Sequence, residues 1–324
     1  MINFQGSTTS PASSLKSQLE QWSFLGICFL VIGIFTTGCS SPVRIIDTHI
    51  HLYDTRRDGG VPWPPPTDDV LYRPTLPKHF DAVCKANGVS ATVIVEASDA
   101  VEDNQWVLDL VKHNPNRYIG LVGNLPIGTD EFAGLLERFA ADERFVGLRL
   151  RSFPKGVAGF NDAVWRDLKL LSDKGLSLDV LLANFSLEDV GTIAQRLPKL
   201  KILINHCTGL IITGDPADAE WAARVRAVAR FPNVHCKISG IFQRSNRSPA
   251  PKDVKYYAPI FEVIWEAFGE DRLIYGSNWP VTDRGGEYGE QLEIIRAHFA
   301  PKGKRVTDKL FWKNAEAFYS VTIH

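Results

Sequence analysis

The sequence has few cysteines and no long run of charge of one sign. Its five cysteines form no CxxC pair and no even framework, so they do not indicate a disulfide scaffold. Cys84, Cys207 and Cys236 are instead expected to pack as small buried hydrophobic side chains. The net charge is −1 and basic residues are not clustered, so nothing in the composition favours nucleic acid as a partner.

Motifs of several common enzyme classes are also missing. There is no glycine-rich phosphate turn after the first strand, no P-loop, and no serine in a nucleophile elbow. The chain has no repeat at a solenoid period and no low-complexity tract beyond one proline-rich loop. These absences argue against a dinucleotide-binding enzyme, a P-loop enzyme and a serine-elbow hydrolase.

The first 39 residues differ in composition from the remainder. A polar stretch at residues 1–21 precedes an apolar run at residues 22–35, which is shorter than the about 20 residues of a membrane-spanning helix and is typical of a secretory signal. Gly38-Cys39 resembles the lipobox of bacterial lipoproteins, in which the cysteine carries a lipid. We therefore predict a signal peptide or membrane anchor at residues 1–39, with Cys39 lipidated at a bacterial envelope membrane. An uncleaved single span and a mis-assigned start codon are the alternatives.

From residue 43 to residue 324 short β-branched runs alternate with amphipathic stretches, which predicts one domain. The predicted strands are residues 44–48, 91–96, 119–123, 146–151, 177–182, 201–205, 234–239 and 273–275. The predicted helices include residues 104–113, 129–141, 163–173, 187–197, 219–231, 255–268, 290–299 and 308–320.

Eight strands separated by helices indicate a parallel sheet, because each crossover between parallel strands needs a covering helix. Eight is also the number that closes a (β/α)8 TIM barrel, whose chemistry lies at the C-terminal ends of the strands. The predicted fold class is therefore α/β, a (β/α)8 barrel. An open doubly wound sheet is the rival, but it would require a glycine-rich turn where this chain has histidines.

One long irregular segment follows the first predicted strand, from Thr55 to about Lys78, and contains VPWPPPTDD. Proline at this density favours extended backbone over helix. The segment is expected to hang over the barrel mouth as a lid or binding element, or else to form a solvated insertion.

His49 and His51 come directly after the first predicted strand, in IIDTHIHLYD. Because side chains alternate along a strand, both imidazoles project to one side, above Asp47 and Ile45. Two neutral imidazoles at this spacing suit one zinc or similar ion. A chance or hydrogen-bonded pair of histidines is the alternative.

His206 ends the sixth predicted strand, in INHCTG, and is a candidate third metal ligand or general base. Three histidines would leave an open coordination position for water or a substrate oxygen, which is the pattern of a catalytic metal site. A histidine that caps the next helix or is satisfied in the core is the alternative.

Asn278 ends the eighth predicted strand, in RLIYGSNWPV, where a carboxylate would take the proton of an attacking water. An amide accepts hydrogen bonds but cannot accept a proton near neutral pH. Glu96, at the end of the second strand, or His206, if no metal is bound, would then act as the base. A surface or salt-bridged glutamate is the alternative for Glu96.

Four further residues are candidates for substrate binding. Lys237, within the seventh strand, would neutralise a carboxylate or oxyanion if it points inward, or lie at the surface if it points outward. Arg149 shares its side of the strand with Arg151, and one of the two could clamp an anionic or polyhydroxy substrate. Asn124 could bind sugar hydroxyls or be a turn residue, and Trp279 could stack on a sugar ring or pack the barrel mouth.

Taken together, these segments resemble the amidohydrolase-related family. The resemblance rests on DTHIHLYD, NVHCKISGI, FGEDRLIYGSNWPV and FWKNAEAFYS, and runs from about Val43 to the C terminus. It is strongest to the branch of sugar lactonases, such as L-fuconolactonase and L-rhamnonolactonase, and 2-pyrone-4,6-dicarboxylate lactonase. The resemblance implies a distorted (β/α)8 barrel that opens a lactone ring by attack of water. It puts the family's histidines at His49, His51 and His206, and Asn278 in place of its eighth-strand aspartate.

The resemblance also implies either one divalent metal ion, zinc before others, or none, because some members of this branch work without a metal. We therefore predict a hydrolase that opens a lactone or related ester of a sugar-derived acid, with a small sugar lactone or carboxylate as its partner. His49 and His51 would position the carbonyl group, through a metal if one is present. The rivals are a metal-assisted non-oxidative decarboxylase and a barrel that binds a sugar acid without turnover, the latter because of Asn278.

Overall fold

The computed structural model describes residues 44–323. Eight parallel β-strands form one sheet in the order of the sequence, and each strand is hydrogen-bonded to the next. The strands are β1 (Ile46–Ile50), β2 (Ala91–Val95), β3 (Tyr118–Gly123), β4 (Phe145–Leu150), β5 (Ser177–Val180), β6 (Lys201–Ile204), β7 (Val234–Ile238) and β8 (Leu273–Tyr275). The predicted (β/α)8 TIM barrel is confirmed.

A helix follows every strand and covers the outside of the barrel. These helices are α1 (Pro77–Asn87), α2 (Glu102–Val111), α3 (Phe132–Ala140), α4 (Asp162–Asp173), α5 (Leu187–Arg196), α6 (Ala219–Val228), α7 (Val254–Phe268) and α8 (Tyr288–Phe299). Two short helices, α9 (Lys304–Asp308) and α10 (Asn314–Tyr319), follow near the C terminus.

Helix α1 is absent from the helices that the sequence pattern indicated. Its first turn contains Pro77, whose fixed φ and missing N–H suit the start of a helix, so the proline begins this helix and does not break it. Only Phe80 and Cys84 are buried along α1, and two apolar positions are too few for a helical period to be recognised.

The predicted signal or anchor segment, residues 1–39, lies outside the described residues, and so does the candidate lipidation site Cys39. Within residues 44–323, no helix is both long enough and apolar enough to span a bilayer.

The N-terminal end of the barrel is filled with apolar side chains. Strand residues such as Val93, Leu203 and Ile274 pack there against Phe318 and Tyr319 of α10. The barrel is therefore a packed core at this end, and open space for a ligand is left only toward the C-terminal ends of the strands.

The first and last strands are joined by hydrogen bonds that do not form a regular ladder. The Thr48 hydroxyl donates to the Tyr275 carbonyl at 2.6 Å, and the Ser277 N–H donates to the Asp47 carboxylate at 2.8 Å. Further along, the Asn278 N–H donates to the carbonyl of His49 at 2.7 Å. These bonds hold the ends of β1 and β8 side by side.

Strand β1 begins two positions later than the predicted strand, so that His49 lies within it. The apolar pattern placed the strand too early because three of its residues, Asp47, Thr48 and His49, are polar yet fully buried. Hydrogen bonds of Asp47 and Thr48 with β8 and the residues that follow it explain why these two polar side chains are stable there. The ring of His49 contacts Lys237 instead.

We expect Gly147→Ala to lower the free energy of unfolding by about 1–3 kcal/mol, because it overpacks the contact between β4 and β5. A Cβ atom at Gly147 would clash with the Ser177 hydroxyl and lie 2.7 Å from its backbone oxygen. The control is Gly134→Ala in α3, where a Cβ meets no atom within 4 Å, and which should stabilise the protein by about 0.5–1 kcal/mol. Urea unfolding followed by circular dichroism measures both changes. A Gly147→Ala protein as stable as the wild type would contradict the strand contact.

Candidate active site at the barrel mouth

A cavity of about 220 Å³ opens at the C-terminal ends of the strands. It is lined by His51, Trp63, Ala97, Arg149, Arg151, Leu181, His206, Gln243, Asn278 and Val281. Four of the predicted site residues, His51, Arg149, His206 and Asn278, therefore meet around one space, although they come from β4 and from the segments that follow β1, β6 and β8. A larger hollow of about 860 Å³ lies between α1 and the start of α8, and it contains none of the three histidines.

His49 lies beneath this cavity, against the other two histidines. Its ring centroid is 5.1 Å from that of His51 and 4.5 Å from that of His206. Its Nδ1 atom is 3.5 Å from the ammonium group of Lys237. Its Nε2 atom is buried and has no hydrogen-bond partner within residues 44–323. His49 thus brings one unsatisfied ring nitrogen to the centre of the cluster.

His51 is held by the backbone at the end of β2. Its Nδ1 atom lies 3.0 Å from the carbonyl oxygen of Val95 and 3.2 Å from that of Glu96. Both oxygens only accept hydrogen bonds, so Nδ1 carries the proton and Nε2 bears the lone pair. Burial, and next the charge of Arg149, lower the pKa of His51 to about 3, so the ring is neutral at physiological pH.

His206 is oriented by an unusual turn after β6. His206, Cys207 and Thr208 all have positive φ values, of 53°, 49° and 61°. Such a conformation costs non-glycine residues about 1–3 kcal/mol each and is concentrated at functional sites. Ser239 stabilises the turn, because its hydroxyl oxygen lies 3.2 Å from the backbone nitrogen of His206 and 3.0 Å from its Nδ1 atom. Nε2 of His206 is then the nitrogen left to face the cavity.

Asn278 reaches the cavity from the end of β8. Its φ is 65°, a left-handed conformation that asparagine tolerates better than most residues. Its side-chain amide lies between His51, with 3.2 Å between Oδ1 and Nε2, and the side chain of Gln243. The amide therefore occupies the position at which the family resemblance implies a catalytic aspartate.

Glu96 does not line the cavity, and its carboxylate binds two arginines instead. Arg151 contacts both carboxylate oxygens, with 2.5 Å from its Nε, and Arg149 lies 3.6 Å away. Burial raises the pKa of Glu96, against the effect of both arginines. The structure thus places Glu96 behind the cavity, where it orients the guanidinium groups and is not positioned as a base.

Lys237 points into the barrel and not outward, but it lies below the cavity and does not line it. Its ammonium group is 2.7 Å from Asp179, 2.8 Å from the Thr48 carbonyl oxygen and 3.2 Å from the Tyr319 hydroxyl. Both members of the ion pair are fully buried. Lys237 therefore contacts His49 from below, and its charge is already matched by Asp179.

Two predicted binding residues also lie away from the cavity. The side-chain amide of Asn124 donates to the Asp99 carbonyl at 2.7 Å, so Asn124 acts as a turn residue. The ring of Trp279 packs on Phe80 of α1, with 5.2 Å between centroids. The structure therefore matches the alternatives stated for these residues, a turn residue for Asn124 and a packing residue for Trp279.

Sequence reasoning missed five residues that line the cavity, and two of them, Trp63 and Gln243, carry an aromatic ring or an amide that could contact a ligand. Trp63 belongs to the proline-rich segment, and its ring lies 5.4 Å from that of His51. The sequence signal that could have found Trp63 was the predicted position of its segment over the barrel mouth. Gln243 follows β7 in a loop without any recognisable motif, so no sequence signal pointed to it.

The site fits a divalent metal ion poorly. Across the described part of the chain, no group of three or more His, Cys, Asp or Glu side chains is arranged to hold a metal. The donors present would be neutral imidazoles and an amide, and one of the imidazole nitrogens, Nε2 of His51, already faces the side chain of Asn278. Arg149 and Lys237 also face the histidines, as the lowered pKa of His206 reflects after the larger effect of burial. A cation would be repelled by Arg149, whereas the charge of Lys237 is already matched by Asp179.

The chain is similar to known proteins over most of its length. The family model described as Amidohydrolase (Amidohydro_2) matches residues 46–321. L-fucono-1,5-lactonase of Burkholderia ambifaria is 29% identical over 253 residues, which cover 76% of this chain and 83% of that protein.

Two solved structures share the fold. An amidohydrolase of Burkholderia multivorans with bound zinc has a TM-score of 0.76 and 23% identity, over 86% of this chain and 99% of that chain. A putative 2-pyrone-4,6-dicarboxylic acid hydrolase of Pseudomonas putida has a TM-score of 0.68 and 19% identity, over 86% of this chain and 98% of that chain.

We expect Lys237→Met to lower the free energy of unfolding by about 3–5 kcal/mol, because Asp179 would stay buried without its counter-ion. Lys169→Met is the control. It removes an exposed pair with Asp173 and should cost less than about 1 kcal/mol. Chemical denaturation of both variants measures the difference. A loss below 1 kcal/mol for Lys237→Met would show that the buried pair is not needed.

Acid should destabilise the protein between pH 7 and pH 5. The pKa values of His49, His51 and His206 are lowered by burial in the folded protein, so below about pH 6.5 the unfolded chain binds more protons. The stability that these groups contribute is complete above pH 6.5 and is lost as the pH falls. Asp47, Glu96 and Asp283 act in the opposite sense, since burial raises their pKa values, that of Asp47 to about 6. They are outnumbered by the histidines with lowered pKa, which also include His79, His235 and His298.

The free energy of unfolding, measured by urea titration at pH 7, 6 and 5, should therefore decrease with pH. His51→Gln should reduce this slope by up to about 1.4 kcal/mol per pH unit, whereas the change His113→Gln at an exposed site should leave it unchanged. A stability that rises toward pH 5 would be incompatible with neutral buried histidines.

Proposed function

The chain belongs to the amidohydrolase family, and from this membership we propose that it is a hydrolase that opens a lactone ring by adding water at the barrel-mouth cavity. The observation that carries the proposal is the meeting of His51, His206 and Arg149 around one space with His49 directly beneath it. The similarity to L-fucono-1,5-lactonase supports a lactone as the substrate class.

His206 is the residue proposed to handle the proton. When Nδ1–H of His206 donates to the Ser239 hydroxyl oxygen, Nε2 bears the lone pair and can accept a proton from a water molecule in the cavity. The water oxygen forms a bond to the lactone carbonyl carbon, and the ring C–O bond then breaks. The proton held on Nε2 passes to the leaving ring oxygen, which becomes a hydroxyl group of the open-chain acid.

Two groups are proposed to stabilise the negative charge that develops on the carbonyl oxygen. Arg149 lines the cavity and is almost fully buried, and its Nε atom has no hydrogen-bond partner within residues 44–323. Nε2 of His49 is likewise unsatisfied, and the nearby ammonium group of Lys237 favours the tautomer in which Nε2 carries the proton. Preorganised donors in a site closed to water stabilise an oxyanion strongly. These residues provide the reaction without a step that needs a metal ion.

A sugar-derived acid lactone is the proposed substrate. Trp63 provides an aromatic face at the cavity, and Arg149, Arg151 and Gln243 provide donors for hydroxyl or carboxylate oxygens. Tethering to a bacterial envelope membrane through residues 1–39 is a further proposal, which rests on the composition of that segment alone.

A barrel that binds a sugar acid without turnover is the second candidate, and Asn278 favours it, because an amide cannot act as the base that the eighth strand is expected to provide. The two candidates differ in turnover. A panel of aldonolactones assayed for acid release, with carbon dioxide release scored in parallel, also separates lactone hydrolysis from decarboxylation.

We expect the full-length protein to release acid from at least one aldonolactone, and His206→Ala to lower kcat/KM by about 10²–10⁴-fold, the usual contribution of a general base. His49→Ala should abolish turnover, because it removes a proposed oxyanion donor. The matched control is His113→Ala, a histidine at an exposed position, which should retain full activity. Unchanged kcat/KM in His206→Ala would remove its assigned role. No turnover on any lactone, together with binding of an aldonic acid in calorimetry, would favour the binding protein.

A further inference from the structure

We propose that the side-chain amides of Asn278 and Gln243 act as a pair that occupies the lone pair of His51 and so prevents the site from binding a divalent cation. Gln243 is then a positioning residue, which acts through Asn278. This inference concerns ion binding, and it holds whether or not the cavity hydrolyses lactones.

The first step is the proton arrangement of His51. The carbonyl oxygens of Val95 and Glu96 lie 3.0 and 3.2 Å from Nδ1 and can only accept, so Nδ1 is the protonated nitrogen. A second proton on Nε2 would make the ring a cation beside Arg149 and Arg151, which line the same cavity. The ring is therefore neutral, and Nε2 presents a lone pair.

The second step is the orientation of the Asn278 amide. The position assigned to its oxygen lies 3.2 Å from the Nε2 lone pair of His51, so two acceptors would face each other. The oxygen and nitrogen of an amide exchange places on a half-turn about the last bond, and the hydrogen-bond network decides between the two orientations. With the amide turned, its NH₂ group donates to Nε2 and the repulsion becomes a hydrogen bond.

The third step is that Gln243 must turn as well. Its side-chain amide contacts the other end of the Asn278 amide. Once the Asn278 oxygen faces Gln243, only the NH₂ group of Gln243 can satisfy it. The result is a continuous chain in which Gln243 donates to Asn278, Asn278 donates to His51, and His51 donates to the Val95 carbonyl. In this arrangement every contact joins one donor to one acceptor.

The consequence concerns the ligands available to a metal. A metal ion would need the Nε2 lone pair of His51, and this lone pair is occupied by the amide. The pair of amides adds no negative charge. The three cations near the histidines, Arg149, Arg151 and Lys237, exceed the two carboxylates that pair with them, Glu96 and Asp179, so the surroundings keep a net positive charge. Asparagine at position 278 therefore makes the site unfavourable for a divalent cation, and Gln243 holds the Asn278 amide in the orientation that does so.

The test is zinc binding by the chelator-treated full-length protein, measured by titration calorimetry and by metal content after dialysis. Asn278→Asp exchanges the donor amide for an anionic ligand, and we expect it to bind zinc about 100-fold or more tightly than the wild type does, beyond the 10–100-fold that changes around a metal's ligands usually give. Asn124→Asp makes the same change at a residue outside the cavity and should bind zinc no better than the wild type.

Wild-type protein that binds zinc as tightly as Asn278→Asp would overturn the proposal. Failure of both proteins to bind zinc would also overturn it, because the amide would not then be what excludes the ion. The ¹⁵N shifts of the His51 ring, assigned by their loss in His51→Gln, test the wild type without relying on a variant that binds zinc. Nε2 should resonate as an unprotonated nitrogen that accepts a hydrogen bond, and Gln243→Leu should move that signal. A protonated Nε2 in the wild type would disprove the proton arrangement.

Discussion

The closure of the barrel between β1 and β8 is the constraint on which the rest of the structure depends. Asp47 accepts the N–H of Ser277, and the His49 carbonyl accepts the N–H of Asn278, so two segments far apart in sequence are held in register. If these bonds were absent, Asn278 would not lie within hydrogen-bonding distance of His51. The buried polar residues of β1 are therefore as much a part of the site as the imidazoles that they position.

Around the site two buried acids are matched by cations, Asp47 is held by neutral hydrogen-bond donors, and the histidines are left neutral. Asp179 is matched by Lys237 below His49, and Glu96 is matched by Arg151 beside the cavity. The ordinary carboxylate partner of such histidines is replaced by an amide. The site is consequently rich in donors and short of anions, which suits an anionic transition state or product and disfavours a cation.

The relatives and the geometry support the same class of chemistry from different directions. Similarity to a lactonase extends over 253 residues, whereas the local departure at Asn278 concerns the one position where the proton is expected to be taken. A site can keep its oxyanion donors and lose its carboxylate base, provided that another group accepts the proton. His206, held by Ser239 on a left-handed turn, is the group that the barrel offers for this.

The sequence by itself determined the eight-stranded barrel, the strand ends that carry His51 and His206, and the unexpected amide at position 278, because apolar periodicity and short motifs are local signals. The sequence could not determine which of the candidate site residues would be engaged by contacts with other parts of the fold. Glu96 and Lys237 are engaged by ion pairs, and Trp279 by Phe80, through contacts between segments that are remote in sequence. Gln243 entered the site only in the folded protein, since a loop side chain is brought to its partner by tertiary packing and carries no pattern of its own.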